Sequence, residues 1–128
     1  MQAGSDDRGV SDPPAGKAEF EVLMSLPHRP TSVVAATDVL AFAALRGAHF
    51  LGLHVPEDVS IVGSNSIPVA ADTIPSLTTV RQPVAEMMAI AVREALDGTA
   101  TDGTPKRHLL EAELVVRESS GPVSSPAS

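Results

Sequence analysis

A carboxylate, Asp38, stands between two apolar segments, TSVVAA at residues 31–36 and VLAFAALRGAHFL at residues 39–51. The first segment is short and β-branched, as a central strand of a parallel sheet is expected to be. A carboxylate at the carboxyl end of such a strand points into the crevice where open α/β sheets bind ligands, and it can accept two hydrogen bonds from sugar or nucleoside hydroxyls. An Asp here can also cap the helix that follows, by accepting a hydrogen bond from a backbone N–H. The residues alone favour the cap.

Two further polar positions follow apolar segments that have the pattern of strands. Ser64 and Asn65, within GSNS at residues 63–66, follow DVSIVG, and Arg81 and Gln82 follow LTTV. The Asn65 amide can donate to and accept from a hydroxylated ligand, and a plain polar turn is the alternative. For Arg81 and Gln82 the alternative is an ordinary solvated loop.

The segments that would position these residues alternate between strand and helix patterns. TSVVAA, the helix of residues 38–51 and DVSIVG follow one another with tight links, which is typical of a βαβ unit in a parallel sheet. Around this unit the sequence predicts a helix in residues 15–26, a turn in residues 67–76, a strand at LTTV, a helix opened by Pro83 and ended by Gly98, and an edge strand in residues 108–118. The predicted fold class is α/β, with three layers around a sheet built on a parallel βαβ unit.

One of these helices carries more apolar surface than a sheet alone would cover, and another has a regular apolar stripe. In the helix of residues 38–51, apolar side chains go most of the way round, which implies a second packing partner. We therefore favour this helix as a partner surface, and an exposed Phe50 would make that surface prone to association. The later helix has an apolar stripe along one face, formed by Val84, Met87, Met88, Ala91, Val92 and Ala95.

Length, composition and charge restrict the class of protein. A chain of 128 residues with 43% hydrophobic content is enough for one domain with a core. Residues 1–14 and 119–128 are rich in small and polar residues, so we expect them to be disordered and place the domain at residues 15–118. Nine Lys and Arg against 16 Asp and Glu give a net charge of -7, which argues against direct nucleic-acid binding by these residues. No segment has the length of a membrane span or the pattern of a signal peptide, and no Cys is present, so the expected location is the cytoplasm.

Residues typical of enzyme sites occur, but not in the arrangements that catalysis needs. Ser64 follows a strand pattern but lacks the Gly-x-Ser-x-Gly elbow that exposes a nucleophile, and no phosphate-cradling glycine loop is present. The histidines lack the close spacing of metal ligands: His28, His49, His54 and His108. We therefore expect that the protein is not an enzyme and uses neither a metal nor a cofactor.

Three motifs, PTSVVAATD, GLHVPEDVSIVG and PSLTTVRQ, occur in this order and are followed by HLLEAELVVRESS. Together they resemble the C-terminal part of the bacterial transcription regulators of the lactose and galactose repressor (LacI/GalR) family, over roughly residues 15–119. The resemblance implies a partial lobe of a type I periplasmic-binding-protein-like core, whose role is to sense an effector. It also implies that the chain begins inside that core, without a helix-turn-helix headpiece, and that the helix opened by Pro83 lacks the lobe on which it would pack.

The resemblance assigns roles to the polar residues at the strand ends. Asp38 and Asn65 occupy positions that hold the effector, which we expect to be a small hydroxylated metabolite such as a sugar or a nucleoside. Ser64 stands where the family has an aromatic residue, so it offers no ring face for stacking. Arg81 and Gln82 become residues that line the cleft or link the lobes.

The resemblance also implies protein partners. The family dimerises partly through the helix of residues 38–51, so Leu45, Ala48 and Phe50 are predicted at a dimer interface. The partner would be a second copy of the chain or a full-length regulator, and sequestering that regulator is an alternative function. A sugar-binding protein of transport type is a further alternative, and no membrane partner is expected.

Overall fold

The structure of the chain, a computed structural model, describes residues 13–97 and 106–123. Helices and strands lie close to where the hydrophobic periodicity predicts them, including a single 3₁₀ turn in the Pro-rich segment after the second strand. The elements are α1 (Pro13–Met24), β1 (Ser32–Val34), α2 (Asp38–Phe50), β2 (Ser60–Ser64), a 3₁₀ helix (Pro68–Ala71), β3 (Thr78–Arg81), α3 (Val84–Asp97) and β4 (Glu113–Val115).

The strands of the described chain form one sheet in the order β1-β2-β3-β4. β1 and β3 both run parallel to β2, so that Val33 lies opposite Ile61 and Gly63 lies opposite Thr79. β4 joins the edge of the sheet antiparallel to β3. These pairings confirm the predicted α/β fold, the βαβ unit formed by β1, α2 and β2, and the edge position of the last strand. The prediction of TSVVAA as a central strand is wrong for the described residues, because β1 lies at the other edge of the sheet and Val34 is 77% exposed.

β4 is shorter and more exposed than its sequence pattern predicts. The alternating pattern covers residues 108–118, whereas the strand is Glu113–Val115. Leu114 and Val116, on the predicted apolar face, are 57% and 67% exposed. The described part of the chain therefore leaves that face uncovered.

α1 supplies the second packing partner that the composition of α2 implies. Gly16 of α1 lies against Leu40 and Ala43 of α2, and Gly47 of α2 lies against the Phe20 ring of α1. A Cβ atom built on Gly47 would come within 2.9 Å of that ring, so the absence of a side chain allows the two helices to approach closely. The apolar faces of α2 are thus divided between the sheet and α1, and they do not by themselves require a partner outside the chain.

The hydrophobic core lies between α1, α2 and the sheet. The buried residues of α2 are mostly alanines, whose small side chains let this helix sit close to the strands. Burial of each large core side chain, such as Phe20 or Ile61, stabilises the fold by about 1.5–3 kcal/mol. The core residues are Phe20, Met24, Ala41, Ala44, Ala48, Val59, Ile61, Ala70 and Leu77.

α3 contributes nothing to this core, since none of its residues is buried. The side chains of Val84, Met87, Met88 and Val92 are between 47% and 60% exposed. The expectation that this apolar stripe finds no surface to cover is thus confirmed for the described residues. The predicted stop at Gly98 lies outside them. None of the helices in residues 13–97 and 106–123 has the length and apolarity to cross a membrane.

The C-terminal boundary of the domain is later than the sequence suggests. Ser119, assigned above to a disordered tail, is fully buried and hydrogen-bonded to the sheet. Small polar residues form this part of the domain because they complete backbone hydrogen bonds rather than fill apolar space, which composition does not reveal. At the other end, Pro13 and Pro14 belong to α1. Residues 120–123 of the predicted tail are also described, whereas residues 1–12 and 124–128 lie outside the described residues.

Candidate functional site

Asp38 lies in the first turn of α2, but it does not cap that helix. The cap is Thr37, whose hydroxyl accepts a hydrogen bond from the backbone N–H of Leu40 at 3.3 Å. The Asp38 carboxylate instead turns towards the sheet, where it is only 1% exposed. The reading of Asp38 as a cap is therefore wrong, because the neighbouring Thr already provides the acceptor.

Both oxygens of the Asp38 carboxylate accept hydrogen bonds from distant parts of the chain. The Thr79 hydroxyl of β3 donates to Oδ1 at 2.5 Å, and the backbone N–H of Ile67, in the loop after β2, donates to Oδ2 at 2.8 Å. Two bonds to a charged acceptor of this kind offset part of the penalty for burying the charge. Asp38 therefore joins α2, the loop after β2 and β3 at the carboxyl edge of the parallel strands.

Gly63 allows this carboxylate to lie over the sheet. A Cβ atom at Gly63 would collide with Asp38 Oδ1 and would come within 3.0 Å of Leu77 Cδ2 and 3.2 Å of Ala41 Cβ. Only a residue without a side chain leaves room for the close approach of α2 to β2 at this point. The sequence DVSIVG therefore ends in a glycine for a packing reason that its strand pattern does not show.

The loop that follows Gly63, residues 64–67, is held by its own backbone. Asn65 N–H donates to Val80 O at 2.9 Å, and Ser66 N–H donates to the Thr79 hydroxyl at 3.2 Å. Asn65 and Ser66 have φ values of 107° and 54°, in the left-handed region that few residues other than glycine and asparagine adopt. Together with the bond from Ile67 to Asp38, these contacts fix three successive backbone N–H groups, so the loop presents one definite shape.

The exposed side chains at this edge are the candidates for contact with a ligand. Asn65 is exposed, and its Oδ1 accepts a hydrogen bond from Gln82 Nε2 at 3.3 Å. Ser64, at the end of β2, is half-buried. Arg81 forms an ion pair with Glu113 of β4 at 3.1 Å. The structure thus brings Asn65 and Gln82 together and pairs Arg81 with β4.

Direct contact between Asp38 and a ligand, as the resemblance implies, does not fit this geometry. A ligand hydroxyl needs an accessible oxygen, whereas the Asp38 carboxylate is almost fully buried and each of its oxygens already has a protein donor. The structure gives this residue a supporting role beneath the loop of residues 64–67.

The residues predicted at a dimer interface have different environments. Ala48 is fully buried in the core, so it cannot form part of an interface without unfolding of α2. Leu45 is half-buried against the same core. Phe50 is 62% exposed, and its ring lies 4.5 Å from Lys17 Nζ and 5.6 Å from the Arg46 guanidinium. These cation–π contacts partly cover the ring and reduce its expected tendency to associate with other apolar surfaces.

Several polar residues that organise the sheet edges were not singled out from the sequence. Thr79 holds Asp38 at the carboxyl edge, whereas Ser119 acts at the opposite edge. The Ser119 hydroxyl accepts from Thr78 N–H at 2.9 Å and donates to Ile61 O at 2.5 Å. Thr and Ser are ordinary in strands and tails, so only their place in the fold marks these roles.

The comparison with known proteins agrees with this architecture. A family model described as a periplasmic binding protein-like domain matches residues 5–120. The HTH-type transcriptional regulator MalR of Streptomyces coelicolor is 49% identical over 92 residues, which are 70% of this chain and 26% of MalR. The chain belongs to the periplasmic binding protein-like domain family of LacI/GalR regulators. The resemblance of its three motifs is thereby confirmed.

Solved structures of LacI-type regulators share the fold. The transcriptional regulator CelR in complex with cellobiose superposes with a TM-score of 0.73 at 36% identity, covering 84% of this chain and 33% of CelR. A LacI family regulator of Lactobacillus casei with bound glucose gives a TM-score of 0.71 at 30% identity, covering 87% of this chain and 40% of that protein. The chain thus spans only about a quarter to two fifths of the proteins that it matches.

Proposed function

We propose that this chain is the effector-sensing part of a LacI/GalR-type transcriptional regulator, and that it binds a small hydroxylated metabolite at the carboxyl edge of its parallel strands. The observation that carries the proposal is the loop of residues 64–67, which is fixed from beneath by Asp38 and Thr79 and presents Asn65 to solvent. A preformed polar loop at this edge is the usual ligand site of open α/β sheets.

The contacts expected at such a site are those of neutral hydrogen bonding. The Asn65 amide and the Ser64 hydroxyl can exchange hydrogen bonds with sugar or nucleoside hydroxyls. Asp38 keeps the loop in place, and Gln82 joins it to the chain segment that leads into α3. Arg81 forms an ion pair with Glu113 of β4. Its proposed role is to link this segment to a second lobe that packs on α3.

The sugars in the solved relatives support the choice of ligand class. CelR is in complex with cellobiose, and the Lactobacillus casei regulator is found with glucose and with sucrose. We extend this class to the present chain as a hypothesis. The proposed activity is binding without chemical change of the ligand, and the net charge of -7 leaves contact with operator DNA to other residues than these.

Isothermal titration of the full chain with glucose, cellobiose, sucrose and adenosine tests the proposal. We expect heat of binding with at least one of these probes, and a loss of affinity of about tenfold in Asn65→Ala, since removal of one good hydrogen bond corresponds to roughly 1.4 kcal/mol. Ser25→Ala, which removes an exposed hydroxyl far from the loop, is the matched control. A folded sample, verified by circular dichroism, that gives no heat with any probe would contradict the proposal.

The uncovered stripe of α3 supports a second candidate function, an interaction module that dimerises with a full-length regulator. Met87, Met88 and Val92 form an apolar surface that the described chain leaves in solvent. Sizing chromatography of the chain mixed with a full-length relative such as MalR distinguishes the two functions. A mixed dimer that Met88→Lys abolishes would support the interaction module, and independent elution would exclude it for that partner.

A further inference from the structure

The contact between Gln82 and Asn65 has a consequence for ligand specificity. Gln82 Nε2 donates to Asn65 Oδ1 at 3.3 Å, which engages the amide oxygen of Asn65. Among the described residues no hydrogen-bond partner is found for Asn65 Nδ2, so the two N–H bonds of this amide are available to a ligand. The Asn65 side chain therefore presents its amide N–H groups to a ligand as hydrogen-bond donors.

We infer that Gln82 is a positioning residue that fixes the orientation of the Asn65 amide, so that the site takes a ligand with a hydrogen-bond acceptor at this point. Suitable acceptors are a ring oxygen, a carbonyl oxygen or a hydroxyl oxygen that receives rather than donates. This inference rests on the proposed function, since it specifies which end of a hydrogen bond the effector supplies.

Both partners are held at their backbones, which keeps the two side chains within reach of each other. Asn65 has a φ of 107° and donates its N–H to Val80 O, and the following N–H groups are bound to Thr79 and Asp38. Gln82 follows β3 directly and its carbonyl accepts from Val84 N–H at 2.9 Å. Because these bonds hold both backbones, only rotation of the two side chains can form or break the hydrogen bond between Gln82 and Asn65.

The chemistry of the two side chains predicts which substitutions reverse this polarity. In Asn65→Asp the carboxylate can still accept from Gln82, but it offers a ligand acceptors only. In Gln82→Glu the new carboxylate accepts from the Asn65 N–H, which turns the Asn65 oxygen away from residue 82 and towards a ligand. Both variants should therefore prefer a ligand that donates at this point, whereas the wild-type chain prefers one that accepts.

Side-chain amide NMR tests the orientation without any ligand. The chain contains one Asn and two Gln, so the spectrum holds only three side-chain NH₂ groups, those of Gln2, Asn65 and Gln82. The Gln82 pair is assigned by its loss in Gln82→Glu, and the Gln2 pair is the reference that neither substitution removes. We expect one Gln82 proton to be shifted downfield in the wild-type chain and in Asn65→Asp, and to return to the position of a solvated amide in Asn65→Ala. Equal Gln82 shifts in Asn65→Asp and Asn65→Ala would overturn the inference, because they would mean that Gln82 does not donate.

Titration with glucose and its deoxyfluoro analogues tests the specificity. Fluorine in place of a hydroxyl can still accept weakly but cannot donate, so we expect one analogue whose binding to the wild-type chain falls by less than about tenfold while its binding to Asn65→Asp and Gln82→Glu falls by more. An equal loss for all analogues in Gln82→Glu would reduce Gln82 to a general structural role and overturn the inference. If the NMR shifts are as expected but no sugar binds any form of the chain, the proposed function fails and the assignment of an acceptor-bearing effector fails with it, while the Gln82–Asn65 contact stands.

Discussion

α1 and α3 are amphipathic helices of similar length with opposite environments. α1 buries Phe20 and Met24, which are 2% and 9% exposed, against α2 and the sheet. α3 buries nothing among the described residues, although its apolar stripe is the more regular of the two. The difference shows that an amphipathic pattern predicts a helix with an apolar face, whereas its contribution to stability depends on the surface that the rest of the fold provides.

The same division applies to polar groups. In the body formed by α1, α2 and the sheet, the side chains of Asp38 and Ser119 are buried and hydrogen-bonded to backbone groups. On α3 the polar contacts are exposed ion pairs, such as that of Glu94 with Lys106 at 3.3 Å, which contribute little because water screens them. The candidate site belongs to the body, and Gln82 marks the point where the body ends and the α3 arm begins.

Two methionines give the most direct test of this contrast. Met24→Ala removes a core side chain, so the free energy of unfolding should fall by about 2–5 kcal/mol. Met88→Ala makes the same chemical change at a side chain that is 60% exposed, and we expect a change within about 0.5 kcal/mol. Urea unfolding of the two variants followed by circular dichroism measures both values. Similar losses in both variants would show that α3 is covered in solution.

Asp38→Ala tests whether the candidate site is part of the stable body. Removal of the carboxylate leaves Ile67 N–H and the Thr79 hydroxyl without their acceptor, and we expect a loss of about 2–4 kcal/mol in the free energy of unfolding. Asp72→Ala, at an exposed acid, is the matched control and should change stability by less than about 0.5 kcal/mol. If the two variants unfold at the same urea concentration, Asp38 is not the support of the loop that the structure describes.

Ser119→Ala tests whether the C-terminal segment belongs to the body. The substitution removes the buried hydroxyl that accepts from Thr78 N–H and donates to Ile61 O, so we expect a loss of about 1–3 kcal/mol. Ser25→Ala removes an exposed hydroxyl that donates to Val22 O and serves as the control, with a smaller effect. Equal stability of both variants in thermal unfolding would return residue 119 to the disordered tail that composition suggests.

The smallest expected effect is on how steeply the stability of the fold falls as the pH is lowered. A hydrogen bond from the His54 backbone N–H lowers the pKa of Asp58 from its ordinary value of 3.8, and one from the Ser76 backbone N–H lowers the pKa of Glu118 from 4.5. Because the folded pKa is below the unfolded one, each group contributes stability that is complete above its ordinary value and is lost as the pH falls through the lower folded value. Urea midpoints measured from pH 7 to pH 3 should therefore fall less steeply in Asp58→Asn and Glu118→Gln than in the wild-type chain. Parallel slopes in all three proteins would contradict this assignment.

Much of the local structure was predictable from the sequence, and the errors have a common cause. The βαβ unit, the turn before β3, the edge position of β4 and the strand-end location of Asp38 follow from hydrophobic periodicity and from Gly and Pro positions. The errors concern Ala48 at an interface, Asp38 as a cap and Ser119 in a tail. In each of them the residue type is compatible with several environments, and the choice among them is made by residues far away in sequence.

Local patterns along the chain specify which segments are helices and strands, because periodicity and capping act over a few residues. The family could also be identified from the sequence, because each of the three motifs is a continuous segment of the chain. What covers each face, and which partners each polar group finds, depend on the fold as a whole. Asp38 meets Thr79, 41 residues away, and Ile67, 29 residues away, and Asn65 meets Gln82, 17 residues away. Such pairings depend on the register of neighbouring strands and on the packing of α2 over Gly63, and no local pattern in the chain encodes them.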